Sequence, residues 1–550
     1  MNRPTPTAAT RNANSLTWIV VVVAGLVVLA VVWGLELFDR LDAGQRVIDG
    51  ARPAFVEDRV VGDRPAIEMI GSVAATLDPI IDAEGGASSE VGPLVELVAG
   101  ATGLPAADVL VALEDNFPHT FHLLLALPLD QVSAEIPGLL GFVAANSDLA
   151  DEGAVLDAIA ANTPAIAQAV VNLGVVAENW RDVAGTDGVT RFDGDTTVDA
   201  VPEISDFFSE DVITAVETVA PDFRDLDEPW PEVGSIALIL TIIGIVVVVF
   251  GLMMLVLTRT DVYGSGIHAA AWSVVILVGV IVAGGVVSVG LFPRLNDGQD
   301  VIDGLRPAFV EERIAGMEAG VGIVDNIALM ADPIADAEGG AASEVGPLVE
   351  LVAGATGLPA ADVLVALEEN FPHTFHLLLA LPLDGVSAEI PGLLKFVADN
   401  SDLADEGAVL NAIAENTPAI AQAVTNLIVV TDGFRAIPGT EDLTRFDGSP
   451  ARSIPEIRDY FAFDVVPAVR AVADDYRTLD TTAPPVDLFP PLLLVVGLLV
   501  IVYGGGMLIV TSAATPRPDA SAPRSDPPEP DDEAAPDPGQ DAEPELVGTG

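Results

Sequence analysis

Four uninterrupted apolar segments constrain this chain more than any other feature of its sequence. They run from Leu16 to Phe38, Ser235 to Leu257, Ala269 to Phe292 and Leu488 to Thr511, and a helix needs about 20 apolar residues to cross the hydrocarbon core of a bilayer. The first segment is too long for the apolar region of a cleaved signal peptide and has no small-x-small site before Glu36, so we expect it to be retained as an anchor. The sequence predicts an all-α, multi-pass plasma-membrane protein with four transmembrane helices.

Basic residues beside these segments predict the orientation of the chain. Lys and Arg favour the cytoplasmic side of a membrane, and the residues that set the bias are Arg3, Arg11, Arg259, Arg517 and Arg524, with Arg40 and Arg46 opposing it. We therefore expect both termini inside and two large loops outside. The predicted organisation is a cytoplasmic N-terminus (1–15), four spans (16–38, 235–257, 269–292, 488–511), two extracytoplasmic helical domains (39–234, 293–487), a short cytoplasmic loop (258–268) and a disordered, acidic, Pro-rich cytoplasmic tail (512–550).

The second half of the chain repeats the first. At a shift of 254 residues Trp18 falls on Trp272 and Gly25 on Gly279, and segment 84–173 differs from segment 338–427 at about eight of some ninety positions. A fixed internal period indicates a duplicated structural unit. We interpret that unit as a span, an outer domain and a second span, duplicated in tandem.

Each outer domain contains a shorter period of about 45 residues. "VGPLVELVAGATGLPAADVLVALEDNFP" from Val91 resembles "IPGLLGFVAANSDLADEGAVLDAIAANTP" from Ile136. Apolar residues recur at steps of three and four, which predicts helices. The residue before a proline disfavours α geometry, so Phe117 and Thr163 are predicted helix ends. We expect two duplicated extracytoplasmic α-helical bundle domains.

Charge and cysteine content exclude several classes of function. The chain carries 82 acidic and 23 basic residues, for a formal net charge of −59, whereas a nucleic-acid binder needs a basic surface. Surface attraction to anionic lipids is disfavoured for the same reason, so the lipid bilayer is a partner through insertion. The sequence has no cysteine, which excludes disulfides, thiolate nucleophiles and Cys-ligated metals.

Four of the five histidines lie in two copies of the heptapeptide "NFPHTFH": His119, His122, His373 and His376. Two imidazoles three residues apart on a helix can face one metal ion, and they can also sense pH. The shorter period places Ala165 and Gln168 at the positions of the first pair, on the same Asn-x-Pro scaffold. The scaffold therefore does not require histidine. The sequence favours a structural helix start and keeps the four histidines as candidate metal residues.

Arg52 and Arg306 lie in the repeated motif "RPAFVE", some ten residues outside a span. We expect them to pair with Glu57 and Glu311, with a lipid phosphate as the alternative partner. A surface ion pair of this kind contributes under about 1 kcal/mol.

The Gly- and Ser-containing motifs predict structure rather than catalysis. "EGGASSEVG" from Glu84 and its copy from Glu338 have no following Lys, so they are not phosphate loops, and Ser89 is predicted to cap a helix. Ser133 and Ser387 lie in "VSAEIPG", which has no G-x-S-x-G elbow and predicts a helix start. We expect no catalytic residue and no cofactor.

Glycine-rich stretches in the third and fourth spans predict close helix packing. The residues concerned are Gly279, Gly284, Gly285, Gly290, Gly504, Gly505 and Gly506. The central portions of the spans contain no Lys, Arg, Asp, Glu or His, whereas ion-coupled transporters usually place such groups at mid-membrane. An autonomous pump is therefore disfavoured.

Four short segments of the sequence resemble segments of other membrane proteins. "LNDGQDVIDGLRPAFVEER", "NFPHTFHLLLALPL", "LTRFDG" and "PPLLLVVGLLVIVYG" resemble uncharacterised membrane proteins of high-GC Gram-positive bacteria. Such proteins are built as a span, a helical outer domain and a second span, which is one unit of this chain. The resemblance implies architecture and carries no activity, catalytic residue or cofactor.

These observations predict a non-enzymatic protein of the cell envelope. The leading hypothesis is a scaffold, assembly factor or accessory subunit that binds a protein partner through its duplicated outer domains, with a homo-oligomer as a further possibility. The alternatives are an extracytoplasmic sensor or metal-handling receptor that uses the histidine pairs, and an accessory component of a transport complex.

Overall fold

The computed structural model describes residues 8–81, 86–227, 232–260, 265–288, 290–335, 340–481 and 485–513. These residues form 24 α-helices and no β-strand, as the sequence predicts for an all-α chain. The predicted disordered tail falls, from residue 514 onward, outside the described residues, as do Arg3, Arg517 and Arg524.

Twelve helices lie in the first half of the chain: α1 (Ala8–Gly34), α2 (Leu37–Ala51), α3 (Glu57–Ile81), α4 (Ala87–Thr102), α5 (Ala106–Asn116), α6 (Pro118–Ala126), α7 (Leu129–Ala145), α8 (Glu152–Asn162), α9 (Pro164–Asn179), α10 (Val201–Asp206), α11 (Ile213–Leu226) and α12 (Ser235–Arg259). Twelve more lie in the second half: α13 (Ser265–Ser288), α14 (Leu291–Leu305), α15 (Glu311–Ala335), α16 (Ala341–Thr356), α17 (Ala360–Asn370), α18 (Pro372–Ala380), α19 (Leu383–Asp399), α20 (Glu406–Asn416), α21 (Pro418–Gly433), α22 (Ile454–Tyr460), α23 (Val466–Thr481) and α24 (Phe489–Ala513). Short π-helical segments, Phe207–Val212 and Phe461–Val465, join α10 to α11 and α22 to α23.

Five of the described helices are long and apolar enough to cross a membrane. They are Ser15–Gly34, Ser235–Arg259, Ala270–Ser288, Glu311–Ala335 and Val486–Thr511. Four pairs of consecutive helices, α4–α5, α6–α7, α16–α17 and α18–α19, would each reach the required length as one bent span, which gives up to nine candidates. The first of the five long helices ends four residues before the predicted Phe38, because the chain turns at Glu36 in a left-handed conformation, φ 50. The third is followed by the equivalent turn at Gly290, φ 62.

Glycines set how closely the spanning-length helices pack in pairs, α1 with α12 and α13 with α24. A Cβ atom at Gly25 would lie 2.8 Å from Cγ2 of Val248, and one at Gly279 would lie 2.9 Å from the carbonyl oxygen of Gly497. Only glycine allows such approaches. The packing prediction is confirmed for Gly279 and Gly504 and is wrong for five glycines that face open space or form a turn: Gly284, Gly285, Gly290, Gly505 and Gly506.

The two helix pairs meet through aromatic side chains. Trp18 stacks on Trp272 with ring centroids 4.3 Å apart, and the hydroxyl of Tyr503 donates to the carbonyl oxygen of Thr17 at 3.2 Å. Trp18 and Trp272 occupy equivalent sequence positions, so an approximate twofold axis passes between them.

The Asn-x-Pro breaks interrupt the helices where the sequence predicts. Phe117 and Thr163 have non-helical φ/ψ values of −138/57 and −137/67, and a helix starts at the proline that follows each of them. Pro is suited to the first helical position because its missing N–H would have no partner there. At each break the Asn side chain donates to the carbonyl oxygen four residues earlier, at 2.7 Å for Asn116 and Asn162.

The two halves of the chain are interleaved outside the spanning-length helix pairs α1–α12 and α13–α24. Helix α9 packs against α15, α21 against α3, and α6 against α18. One hydrophobic core joins Val95 and Val109 of the first half to Val409 and Ile420 of the second. A second core joins the equivalent residues, Val349 and Val363 of the second half and Val155 and Ile166 of the first. The described halves therefore share their cores.

Loops are exchanged in the same reciprocal way. The guanidinium Nε of Arg59 donates to the carbonyl oxygen of Thr444 at 2.7 Å, and that of Arg313 donates to Thr190 at 2.8 Å. Both acceptors lie in the "TRFDG" loops, so each half orders a loop of the other.

Candidate functional site

An apolar cavity of about 160 Å³ lies between the two halves. Its wall comes mainly from α3, α6, α7 and α9 and from the equivalent helices α15, α18, α19 and α21, with one residue each from α4 and α16. On α6 the lining residues Thr120, Leu123 and Leu124 recur at steps of three and one, which places them on one helix face, and Leu127 follows directly after the helix. Three threonines are the only polar residues among the described lining residues.

Two of these threonines have partners that differ between the halves. The hydroxyl of Thr374 donates to Oε2 of Glu135 at 2.9 Å. The hydroxyl of Thr120 is buried and has no hydrogen-bond partner among the described residues. The cavity therefore offers one unused hydroxyl beside an otherwise apolar surface.

Carboxylates from the opposite half hold the helices that carry the histidines. The backbone N–H of Thr120 donates to Oε2 of Glu389 at 2.8 Å, and that of Thr374 donates to Oε2 of Glu135 at 2.8 Å. These N–H groups lie in the first turn of α6 and α18, where no intrahelical acceptor exists and the helix dipole favours a negative charge. Each half thus caps a helix of the other.

The same arrangement occurs at the other two Asn-x-Pro breaks. The N–H of Ile166 at the start of α9 donates to Glu344, and that of Ile420 at the start of α21 donates to Glu90, both at 2.9 Å. All four helices that begin at such a proline are capped by a glutamate of the opposite half. Sequence reasoning missed these glutamates because the partner of each lies between 178 and 330 residues away along the chain.

The structure brings His122 and His376 together across the approximate twofold axis. Their Nδ1 atoms are 3.2 Å apart, and their rings are stacked with centroids 5.3 Å apart. One imidazole donates its Nδ1–H and the other accepts, so the neutral pair must contain two different tautomers. Burial lowers the pKa of both His122 and His376, and Glu114 and Glu368 oppose that decrease.

The other two histidines face a different environment. The Nδ1 atoms of His119 and His373 are buried and have no hydrogen-bond partner among the described residues. A Cβ atom at Gly385 would lie 3.0 Å from the ring of His119, so that ring packs directly against α19.

The metal prediction paired His119 with His122 within one helix, but the direct contact joins His122 to His376 between helices. Across the described part of the chain, no group of three or more His, Cys, Asp or Glu side chains is arranged to hold a metal ion. The sequence could not indicate the observed pair, because its members lie in different halves.

Arg52 and Arg306 form ion pairs, but with other partners than predicted. Arg52 bonds Asp227 at 2.7 Å and Asp49 at 2.9 Å, and Arg306 bonds its equivalents Asp480 and Asp303 at 2.6 and 2.7 Å. Glu57 is not within reach as a helical neighbour because α2 ends at Ala51 and α3 starts only at Glu57.

Two predicted helix starts are wrong. The residue that caps α4 is Gly86, and Ser89 lies in the first turn, where its hydroxyl donates to the Gly86 carbonyl at 2.8 Å. Helix α7 starts at Leu129, so Ser133 lies inside it, and Ser387 lies inside α19. Glu84 and Glu338 lie outside the described residues.

Four of the spanning-length helices, α1, α12, α13 and α24, enclose further apolar space. A cavity of about 430 Å³ lies between all four, and a second of about 260 Å³ lies toward α2 and α14. Both cavities are lined by Val27 and Val496, so they lie next to each other.

No protein-family model matches this chain, and no curated protein or solved structure is significantly similar to it.

Proposed function

We propose that this chain is a non-enzymatic, four-span envelope protein whose outer region binds the acyl chain of a membrane lipid in the cavity between its halves. The cavity carries the proposal. It is enclosed by both halves, its wall is aliphatic apart from three threonines, and its volume is about 160 Å³.

The volume of the cavity, and the folding stability that is lost if it stays empty, both support a bound ligand. A dry aliphatic cavity of about 150 Å³ is known to bind benzene-sized molecules, so this one suits a short stretch of hydrocarbon. Leaving a cavity of this size unfilled costs about 4 kcal/mol of stability, at about 24 cal/mol per Å³. A cost of that order is a large fraction of the stability of a typical domain.

An acyl chain suits the lining better than a polar solute. The wall offers no charged group, and the unused Thr120 hydroxyl can meet at most one or two polar atoms of a ligand. The apolar cavities between the spans support a source in the bilayer, because they provide hydrocarbon-lined space directly below the outer region.

Four spans are proposed rather than five. Helix α15 is apolar enough to count as a candidate, but it packs against α9 and carries Glu318, Asp325 and Asp332 along its length. Charged residues are costly within a bilayer. We further propose that both termini lie inside, that residues between α1 and α12 and between α13 and α24 are extracytoplasmic, and that the halves arose by duplication.

A protein partner for a scaffold or accessory role stays a prediction. A metal-handling role would need ligands beyond the contacting pair of histidines, and the described residues supply no such group. The acyl-chain proposal is favoured because the cavity is a specific observation.

Photo-crosslinking tests this function. The full chain is reconstituted in vesicles of a phospholipid with a diazirine at the end of one acyl chain, irradiated and mapped by peptide mass spectrometry. We expect adducts on α6, α7, α18 or α19 in addition to those on the spans.

A matched pair of variants identifies the site. Ala169→Leu with Ala423→Leu fills the cavity from two lining positions. It should remove the adducts on α6, α7, α18 and α19, called the outer adducts below. Ala106→Leu with Ala360→Leu, at exposed positions, should leave them unchanged. Adducts confined to the spans of the wild-type chain would contradict the proposal.

A further inference from the structure

The two helices that contact each other across the twofold axis also form part of the cavity wall. Leu123 and Leu124 of α6 and Leu377 and Leu378 of α18 line the cavity. The adjacent residues in sequence, His122 and His376, form a side-chain hydrogen bond between these two helices. The histidine contact is therefore placed to control whether this part of the wall stays closed.

We propose that His122 and His376 form a proton-operated clamp that holds α6 against α18 and opens the acyl-chain cavity when both imidazoles are protonated. This inference rests on the proposed function for its ligand, and the clamp itself is defined by the 3.2 Å contact between the two Nδ1 atoms.

The chemistry of the pair makes opening a two-proton event. In the neutral pair, one Nδ1–H donates to the unprotonated Nδ1 of the other ring. A first proton placed on the free Nε2 of the donor leaves that hydrogen bond intact and makes it charge-assisted. A second proton must go to the accepting Nδ1, which leaves two cationic N–H groups facing each other. The bond is then lost and like charges repel.

The charged and titratable groups around the pair lie on five packed helices, α5, α6, α17, α18 and α19. Glu114 on α5 and Glu368 on α17 favour the protonated forms, and so does Glu389 on α19. His119 and His373, on the same two helices as the pair, disfavour them. Burial is the largest influence and lowers the pKa of both His122 and His376. The closed form therefore persists at neutral pH.

The glutamate caps define how α6 and α18 can move. Glu389 and Glu135 hold the first turns of α6 and α18 to the opposite half, and neither carboxylate bonds to a histidine ring among the described contacts. Protonation of the pair can separate the middle of the two helices while their first turns stay capped. The opening is thus local to the cavity.

Double electron–electron resonance measures the clamp without a ligand. The chain contains no cysteine, so Leu125→Cys and Leu379→Cys, at half-buried positions beyond the capped first turns of α6 and α18 and outside the cavity wall, take two nitroxide labels specifically. We expect the distance distribution of the labelled full chain to broaden and lengthen between about pH 7.5 and about pH 5, which brackets the ordinary histidine pKa of about 6.5.

The shorter sequence period supplies the control variants. His122→Gln with His376→Gln places in both helices the residue found at Gln168 and should abolish the pH response. His119→Ala with His373→Ala follows Ala165 and should retain it. An unchanged distance in the labelled wild-type background, or a pH response that survives in the glutamine variant, would overturn the clamp.

Lipid crosslinking in the same samples separates the two proposals. Outer adducts that decrease at low pH support both. Outer adducts with no change in label distance support the cavity and reject the clamp. A distance change without outer adducts supports the clamp and rejects the acyl-chain ligand.

Discussion

Asp63 lies in an environment that its equivalent in the other half does not share. Burial raises the pKa of Asp63 from 3.8 to about 7, and the neighbouring Tyr460 hydroxyl and Arg59 guanidinium oppose that rise. The equivalent positions hold Met317 and Phe207, which belong to the same core. The polar pair Asp63 and Tyr460 thus occupies a position in the core whose counterpart holds the apolar pair Met317 and Phe207.

The stability of the protein should therefore depend on pH through Asp63. Between about pH 4 and about pH 7 the folded chain holds a proton that the unfolded chain has lost, so the free energy of unfolding falls as the pH rises and is level above about 7. The decrease is on the order of 4 kcal/mol at most, at about 1.4 kcal/mol per pKa unit. Thermal unfolding midpoints in detergent from pH 4 to pH 8 measure it.

Two substitutions isolate this contribution. Asp63→Met with Tyr460→Phe recreates the apolar pair and should flatten the pH dependence over that window. Tyr460→Phe alone removes a group that opposes the pKa rise and should steepen it. An unchanged slope in the double variant would show that Asp63 does not control the pH dependence.

At the scale of helices, the helix ends set by neighbouring residues could be predicted from the sequence, whereas contacts between distant residues could not. The ends at Phe117 and Thr163 follow from the proline that comes next, which is a local steric effect. The partners of the capping glutamates could not be predicted, because Glu90 and Glu344 lie in nearly identical sequence contexts. Either glutamate could cap its own half or the other, and only the structure distinguishes these pairings. Ser89 was misassigned because a serine before an apolar run fits both a cap and a first turn.

Removing one capping glutamate tests how much a cap supplied by the opposite half contributes to the free energy of unfolding. Glu344→Ala removes the acceptor of the Ile166 N–H and should lower the free energy of unfolding by about 1 kcal/mol. Glu350→Ala, on the same helix at an exposed position, is the control and should change it little. Equal midpoints for the two variants in chemical unfolding would rule out a stabilising role for the cap.

Helix α13 offers a matched test of span packing. Gly279→Leu must displace the backbone of α24 and should destabilise the pair by about 1–3 kcal/mol, whereas Gly284→Leu enters open space and should be tolerated. Thermal stability of the two variants in the same detergent distinguishes them. A Gly279→Leu variant as stable as Gly284→Leu would contradict the close approach of α13 and α24.

At the scale of the whole molecule, the two halves resemble the subunits of a dimer joined in one chain. The twofold contacts Trp18–Trp272 and His122–His376 each join equivalent residues. The all-α class could be predicted from the sequence. The shared cores and the cavity could not, because the nearly identical segments 84–173 and 338–427 give no sequence signal for which half supplies each partner.

Splitting the chain between residues 260 and 265 should give two fragments that assemble with each other when they are coexpressed. The first fragment alone should self-associate poorly, because Asp63 would then face Phe207 instead of Tyr460 and its carboxyl would be buried beside an apolar ring. Asp63→Met should restore self-association of that fragment. Light scattering of the purified fragments measures the assembly, and stable monomeric folding of either fragment alone would contradict the shared cores.

Native mass spectrometry of the full chain released from detergent tests the acyl-chain site most directly. The account predicts that the wild-type protein retains the mass of a lipid and that the cavity-filled variant, Ala169→Leu with Ala423→Leu, loses it while the exposed control, Ala106→Leu with Ala360→Leu, keeps it. A wild-type chain without bound lipid, or a cavity-filled variant that retains as much lipid as the wild type, would contradict it.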